Sequence, residues 1–166
     1  MDSDKIIKEF EAIGKSPYTE QFKVELEPAK RAEDWVQKKL QEEFGPIIKA
    51  DLKEVHFDLL VRKSGDTVEV KYDKKSRSTG NVAIELESYG NRRGIHRSKS
   101  TYYAIVCFNK SWGMCLIRTG RLKDMIEKEN YPEVMAGDNS VTKVKLVPVK
   151  DIIKASERKY PIINIL

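Results

Sequence analysis

The stretch Val55-His56-Phe57-Asp58-Leu59-Leu60-Val61-Arg62-Lys63-Ser64-Gly65-Asp66-Thr67-Val68-Glu69-Val70-Lys71-Tyr72 decides the fold of this chain. Two β-rich runs, Val55 to Arg62 and Thr67 to Tyr72, flank Ser64-Gly65, which supplies hairpin turn chemistry. Strand side chains alternate with period two, so His56 shares a face with Asp58, and Glu69 shares one with Lys71. A two-residue loop at Ser64-Gly65 sets Asp58 directly across from Lys71 and diagonal to Glu69. A loop one residue longer would throw the two carboxylates onto opposite faces. Two acids and a lysine gathered on one sheet face are costly to bury without a function.

Upstream, Pro28 opens a helix that runs to about Phe44, because proline suits the first helical turn, and Gly45-Pro46 ends it. Its inner stripe reads Ala29, Val36, Leu40 and Phe44, with Ala32 and Trp35 alongside. Glu33 falls on that stripe one turn after Ala29, and a carboxylate facing inward there is the second anomaly of this chain. Before this helix, Lys5 to Ile13 has helical spacing, and Lys15 to Glu27 reads as a connection with a short extended piece at Phe22 to Leu26.

Downstream, Asn81 to Glu87 reads as a third strand, with Val82, Ile84 and Leu86 on one face and Ala83, Glu85 and Glu87 on the other. Gly90 to Ser100 is a polar, basic crossover with room for a short helix. Tyr102 to Phe108 is a nearly continuous apolar run, as expected of a strand buried on both faces. Lys110-Ser111 turns the chain into Met114 to Ile117. Arg121 to Glu129 is an amphipathic helix, and Lys143 to Val149 a last strand. The tail from Asp151 reads as a helical turn, then an extended end at Ile162 to Leu166. This order predicts an α/β core, a mixed β-sheet flanked by helices.

With 166 residues, 40% of them hydrophobic and 34% charged, the chain fits one soluble domain. Its core is expected at about 28–149, with a helix at 5–13 and a tail at 151–166 as additions. The net charge of +5 permits a nucleic-acid partner without demanding one. No stretch has the apolar length of a membrane span, and Met1-Asp2-Ser3-Asp4 lacks a signal-peptide pattern, so a cytoplasmic protein is expected. Cys107 and Cys115 are too few to hold an iron–sulfur cluster, and neither combines with His56 or His96 at zinc spacing. They read as two small buried hydrophobes, kept reduced. Any metal should therefore have oxygen ligands.

Oxygen ligands on a sheet face suit Mg²⁺ held against a phosphodiester, with Mn²⁺ as its substitute. Asp58 and Glu69 are the candidate ligands, with the main-chain carbonyl of Val70. Lys71 would orient the attacking water and offset developing negative charge. Glu33 would hold a second metal or position a water; it also suits a surface pair with Lys30 or Gln37. Glu85 stands on the polar side of its strand and fits either an extra ligand or a solvated glutamate. His56 reads more readily as a satisfied or exposed histidine than as a ligand.

The order helix Glu33, strand Asp58, then Glu69-Val70-Lys71 resembles the PD-(D/E)xK nuclease superfamily, including restriction enzymes, Holliday-junction resolvases and phage-type recombination exonucleases. Thr79-Gly80-Asn81-Val82-Ala83-Ile84-Glu85 looks like the segment after the lysine strand in small phage-like members. The resemblance covers roughly Pro28 to Val106, and Phe57 stands where the motif has its naming proline. It implies a restriction-endonuclease-like core and Mg²⁺-dependent cleavage of DNA. The expected setting is recombination, repair or viral genome processing.

Two basic clusters flank the acids: Lys74, Lys75 and Arg77 after the lysine strand, then Arg92, Arg93, His96, Arg97 and Lys99 before the buried strand. Both suit contacts with phosphates beside the cut. The hydroxyls of Ser98, Ser100 and Thr101 would add donors at a helix start. Tyr102 and Tyr103 read as packing residues. Nothing resembles base-reading machinery, so recognition of branched structure or free ends of DNA is expected. A junction resolvase would act as a homodimer. The competing readings are a non-catalytic nucleic-acid-binding domain on the same fold and an interaction protein with a solvated charged face.

Overall fold

The computed structural model describes residues 20–50 and 57–161. The expected helix at 5–13, His56 and the end at 162–166 lie outside the described residues. A long helix α1 (Glu20–Phe44) precedes strands β1 (Ile47–Lys49), β2 (Leu59–Val61) and β3 (Thr67–Tyr72). A short helix α2 (Ser76–Thr79) leads to β4 (Asn81–Ser88), β5 (Asn91–Arg92) and a 3-10 turn at Gly94–His96. Then come β6 (Tyr102–Asn109), β7 (Ser111–Arg118), α3 (Thr119–Lys128), β8 (Glu133–Ala136), β9 (Thr142–Pro148), α4 (Val149–Ala155) and β10 (Arg158–Pro161).

The fold is α/β, with a mixed sheet flanked by helices. Six strands run in the order β1-β2-β3-β6-β7-β10, with β3 and β6 parallel and the other neighbours antiparallel. One face of this sheet packs on α1: Ala32, Val36 and Leu40 meet Leu59, Val61, Val68, Ala104, Val106, Met114 and Leu116. From the opposite face Tyr103, Ile105, Cys107, Cys115 and Ile117 meet Leu122 and Ile126 of α3, Ile152 of α4, and Val82, Ile84 and Leu86 of β4. Each fully buried leucine or isoleucine contributes about 1.5–3 kcal/mol.

Several expectations are corrected. The segment at Phe22 to Leu26 is helical, and Pro28 lies inside α1. The neighbouring glutamates, Lys23 and Leu26 are strong helix formers that carry the helix across it. Ala29 is exposed, so the inner stripe starts at Ala32 and continues through Val36 and Leu40. The third strand, β4, belongs to a second, antiparallel sheet ordered β5-β4-β9-β8. In the tail expected at 151–166, Ile152 and Ala155 are buried in the core, and β10 forms the edge of the first sheet beside β7.

The β2–β3 loop is longer than expected. Val61 N–H donates to the Asp66 carbonyl at 2.8 Å, and Gly65 N–H returns to Val61, leaving four residues, Arg62 to Gly65, in the turn. Leu59 therefore pairs with Val68, a slip of two from the Leu59–Val70 pairing that a two-residue turn demands.

Asp73 connects the two sheets. Its buried carboxylate accepts from Ser76 N–H at 3.0 Å and from Ala83 N–H, on β4, at 2.8 Å. Ser76 Oγ donates to the Asp73 carbonyl at 2.6 Å and accepts from Phe108 N–H at 2.9 Å, which pins α2 to β6. Asp73→Ala takes the carboxylate from the Ala83 N–H, while Ser76 N–H keeps the Asp73 carbonyl at 3.3 Å, and should lower stability by about 1–3 kcal/mol. Urea unfolding followed by circular dichroism measures this; a loss under about 0.5 kcal/mol would mean water replaces the carboxylate.

Candidate metal and phosphate site

The hairpin register brings the start of β2 beside the centre of β3. Asp58 stands one residue before β2, and its N–H donates to the Val68 carbonyl at 3.0 Å. Its Oδ2 then accepts from Val70 N–H at 2.7 Å, so the side chain takes the position of the next backbone partner. In a strand a residue's N–H and C=O project to the same edge, so the Val70 carbonyl also turns toward Asp58. Asp58 thus lies alongside Glu69 and Val70, and not directly across from Lys71.

The site is electrostatically crowded. Burial pushes the Glu69 carboxyl up from 4.5 to about 7, the Asp58 charge adds to the rise, and Lys71 opposes it. Asp58 is also raised by burial and by Glu33, against the Val70 hydrogen bond and the charge of Lys49. Two half-buried carboxylates that hold protons above their ordinary range would be returned to their charged forms by a nearby cation. Hard oxygen donors in that number suit Mg²⁺, which accepts one or two carboxylates and keeps other positions open. Among the described residues, no three His, Cys, Asp or Glu side chains form a ready metal cage. The donor set is two acids and a carbonyl.

Two residues at the site escape a reading of the sequence. Tyr103 is buried directly beside Glu69 across the parallel β3–β6 pairing. Burial raises its phenol to about 12, the Ser98 hydroxyl opposes this, and Glu69, Glu85 and Asp58 all add to the rise. The phenol therefore stays protonated as a donor amid three carboxylates. Lys49, on β1, is the other. Its Nζ lies 3.2 Å from Glu33 Oε1 and also pairs with Asp34. Burial pulls the Lys49 pKa down, but these two acids outweigh it and raise it. Glu33 is thus engaged by Lys49, and not by Lys30 or Gln37; Gln37 Nε2 donates instead to the Ile47 carbonyl at 3.0 Å.

Glu85 is half-buried, and its charge is felt by the Tyr103 phenol. Gly94, at φ +53°, packs on the Glu85 backbone so tightly that a Cβ would lie 2.4 Å from its carbonyl oxygen. The basic segment is therefore clamped beside the acids, with Arg92, Arg93, Arg97 and Lys99 exposed. His96 is not among its cations: burial and Arg92 hold its pKa below the usual value. Lys74, Lys75 and Arg77 are exposed at the end of β3, and the Arg77 guanidinium sits 5.4 Å above the Phe108 ring.

The hydroxyl donors expected for phosphate are used internally. Ser98 and Ser100 bond each other at 2.8 Å, Ser100 meets Thr119 at 3.3 Å, and Thr101 exchanges bonds with Thr67. No helix starts there; β6 does. Tyr102 packs under Arg118, whose guanidinium is 5.0 Å from the ring.

The raised Glu69 pKa has a defined effect on stability. Native Glu69 keeps its proton to a higher pH than the unfolded chain does. Its stabilising contribution is complete below about 4.5 and is lost as pH rises through about 7. The metal-free Tm should fall across that window, and Glu69→Gln, which cannot ionise, should flatten the fall. Equal slopes for the two proteins by calorimetry would remove Glu69 as the titrating group.

No protein-family model matches this chain, and no curated protein matches it. No described helix is long and apolar enough to cross a membrane.

Proposed function

We propose that this chain is a Mg²⁺-dependent deoxyribonuclease of PD-(D/E)xK type, built on a restriction-endonuclease-like core. The observation that carries the proposal is the meeting of Asp58 and Glu69 beside the Val70 carbonyl, with Asp58 Oδ2 accepting from Val70 N–H at 2.7 Å and with burial, joined by the Asp58 charge, raising Glu69 to about 7. Asp58, Glu69 and that carbonyl would hold Mg²⁺, which when bound supplies Lewis acidity at the scissile phosphate. The chain's own residues do the remainder. Lys71, which shares its strand face with Glu69, orients the attacking water and offsets the charge that develops on the phosphate. Tyr103, paired with Glu69 across the β3–β6 register, lends its protonated phenol to the same face. Arg92, Arg93, Arg97 and Lys99 on one side, and Lys74, Lys75 and Arg77 on the other, hold the flanking phosphates.

The substrate class is duplex DNA, branched or with free ends, in recombination, repair or viral genome processing inside the cell. Junction resolution would take two copies, one for each strand cut. The second reading, a non-catalytic DNA-binding domain, is favoured by one observation: Glu33 is already paired with Lys49.

Metal-linked stability separates the two. Saturation at a hundred times the dissociation constant adds ~2.7 kcal/mol to a protein that binds metal only when folded. Mn²⁺ or Mg²⁺ should raise the wild-type Tm accordingly, and Asp58→Ala should abolish the gain while staying folded without metal. An unchanged gain in the variant would put the ligands elsewhere.

A further inference from the structure

We infer that Lys49 is a built-in cation that stands where a second metal ion would otherwise sit beside Glu33, so that the site holds a single divalent ion. The inference rests on the metal reading above and assigns the stoichiometry of that same site.

Strand β1 seats the lysine. Lys49 pairs with Leu59, and the next residue, Ala50, donates its N–H to the Asp58 carbonyl at 2.8 Å. The ammonium is thereby held one residue from the proposed ligand strand and aimed at α1. There it meets Glu33 Oε1 at 3.2 Å and also Asp34, with side-chain exposures of 33% for the lysine and 28% for Glu33. Half-buried ion pairs of this kind are screened less than surface ones, so the carboxylate is effectively neutralised. The fields of Glu33 and Lys49 both reach Asp58. A divalent ion bridging Glu33 to Asp58 would have to displace the ammonium or endure its repulsion at contact range, in a partly buried setting. Among the described residues, neither Asp58 nor Glu69 forms an ion pair within 4.0 Å, so their end of the site is where one divalent ion would sit.

The division of labour follows from charge type. A divalent ion withdraws electron density from a phosphate oxygen. A lysine ammonium supplies a compact, hydrated point charge without any Lewis-acid contact. Lys49 would thus serve electrostatic neutralisation on the helix side, and Lys71 would serve it on the strand side.

Calorimetric titration with Mn²⁺ alone tests this. Wild type should bind one Mn²⁺ per chain, and Lys49→Arg should do the same. Lys49→Met, which frees Glu33 and Asp34, should bind two, and Lys49→Met combined with Glu33→Gln should return to one. Two ions in wild type, or one in a folded Lys49→Met, would overturn the inference and leave the nuclease reading standing. No Mn²⁺ bound to wild type would overturn both. Should Lys49→Met fail to fold, Glu33→Gln decides: one ion retained supports the assignment, and none would make Glu33 a ligand and overturn it.

Discussion

Lys71→Ala is expected to lower the rate of DNA cleavage by about 10²–10³-fold while metal and DNA binding persist. The lysine lies on the same face of β3 as Glu69, and its charge opposes the rise of the Glu69 pKa. On the proposed reading its ammonium would meet a phosphate held at the two acids. Its removal deletes one donor from a partly buried site, where a fixed charge stabilises a transition state more than it would in water. Metal affinity should change little, because both carboxylates and the Val70 carbonyl remain. Single-turnover cleavage beside Mn²⁺ titration separates the two effects. Cleavage within about threefold of wild type would remove Lys71 from the chemistry.

Gly94→Ala should destabilise the protein by about 3–5 kcal/mol, since overpacking and backbone strain add. The added Cβ would sit 2.4 Å from the Glu85 carbonyl oxygen and 2.8 Å from its Cβ. These atoms belong to β4, where Glu85 pairs with Val144, so they have little freedom to yield. The expected readout is a large drop in urea midpoint. At temperatures where the variant stays folded, DNA affinity should also fall, because Arg92, Arg93 and Arg97 ride on the displaced segment. A near-native midpoint would mean the 3-10 turn moves away at little cost, and the basic segment is then not clamped as described.

Much of this architecture is legible in the residues. Strand β3 runs from Thr67 to Tyr72 as its alternation predicts, and α1 ends at Phe44 because Gly45-Pro46 stops it. The meeting of Asp58 with Glu69 survives a register slip because the slip is even, and strand faces repeat every two residues. What local pattern leaves open depends on pairings distant in the chain. Alternation in β4 is the same in either sheet, so nothing in Asn81 to Ser88 reveals that Asp73 turns it out of the first sheet. Tyr103 joins the site only through the parallel β3–β6 register, and Lys49 only through β1 lying beside β2. A lysine in the short run Ile47-Ile48-Lys49 carries no signal of the acids it will meet. Ser98, Ser100 and Thr101 read as available donors in the sequence because their mutual bonds and the Thr67 exchange are tertiary.

One assay tests directly whether Asp58 and Glu69 act on a phosphodiester. Wild type and Asp58→Asn are incubated with labelled duplex, single-stranded, flapped and four-way-junction DNA, in Mg²⁺ or EDTA. Cutting by wild type in Mg²⁺, absent in EDTA and absent in Asp58→Asn, is the expected result. No cutting of any of these DNAs by a wild-type protein that binds them would contradict it. So would equal cutting by Asp58→Asn.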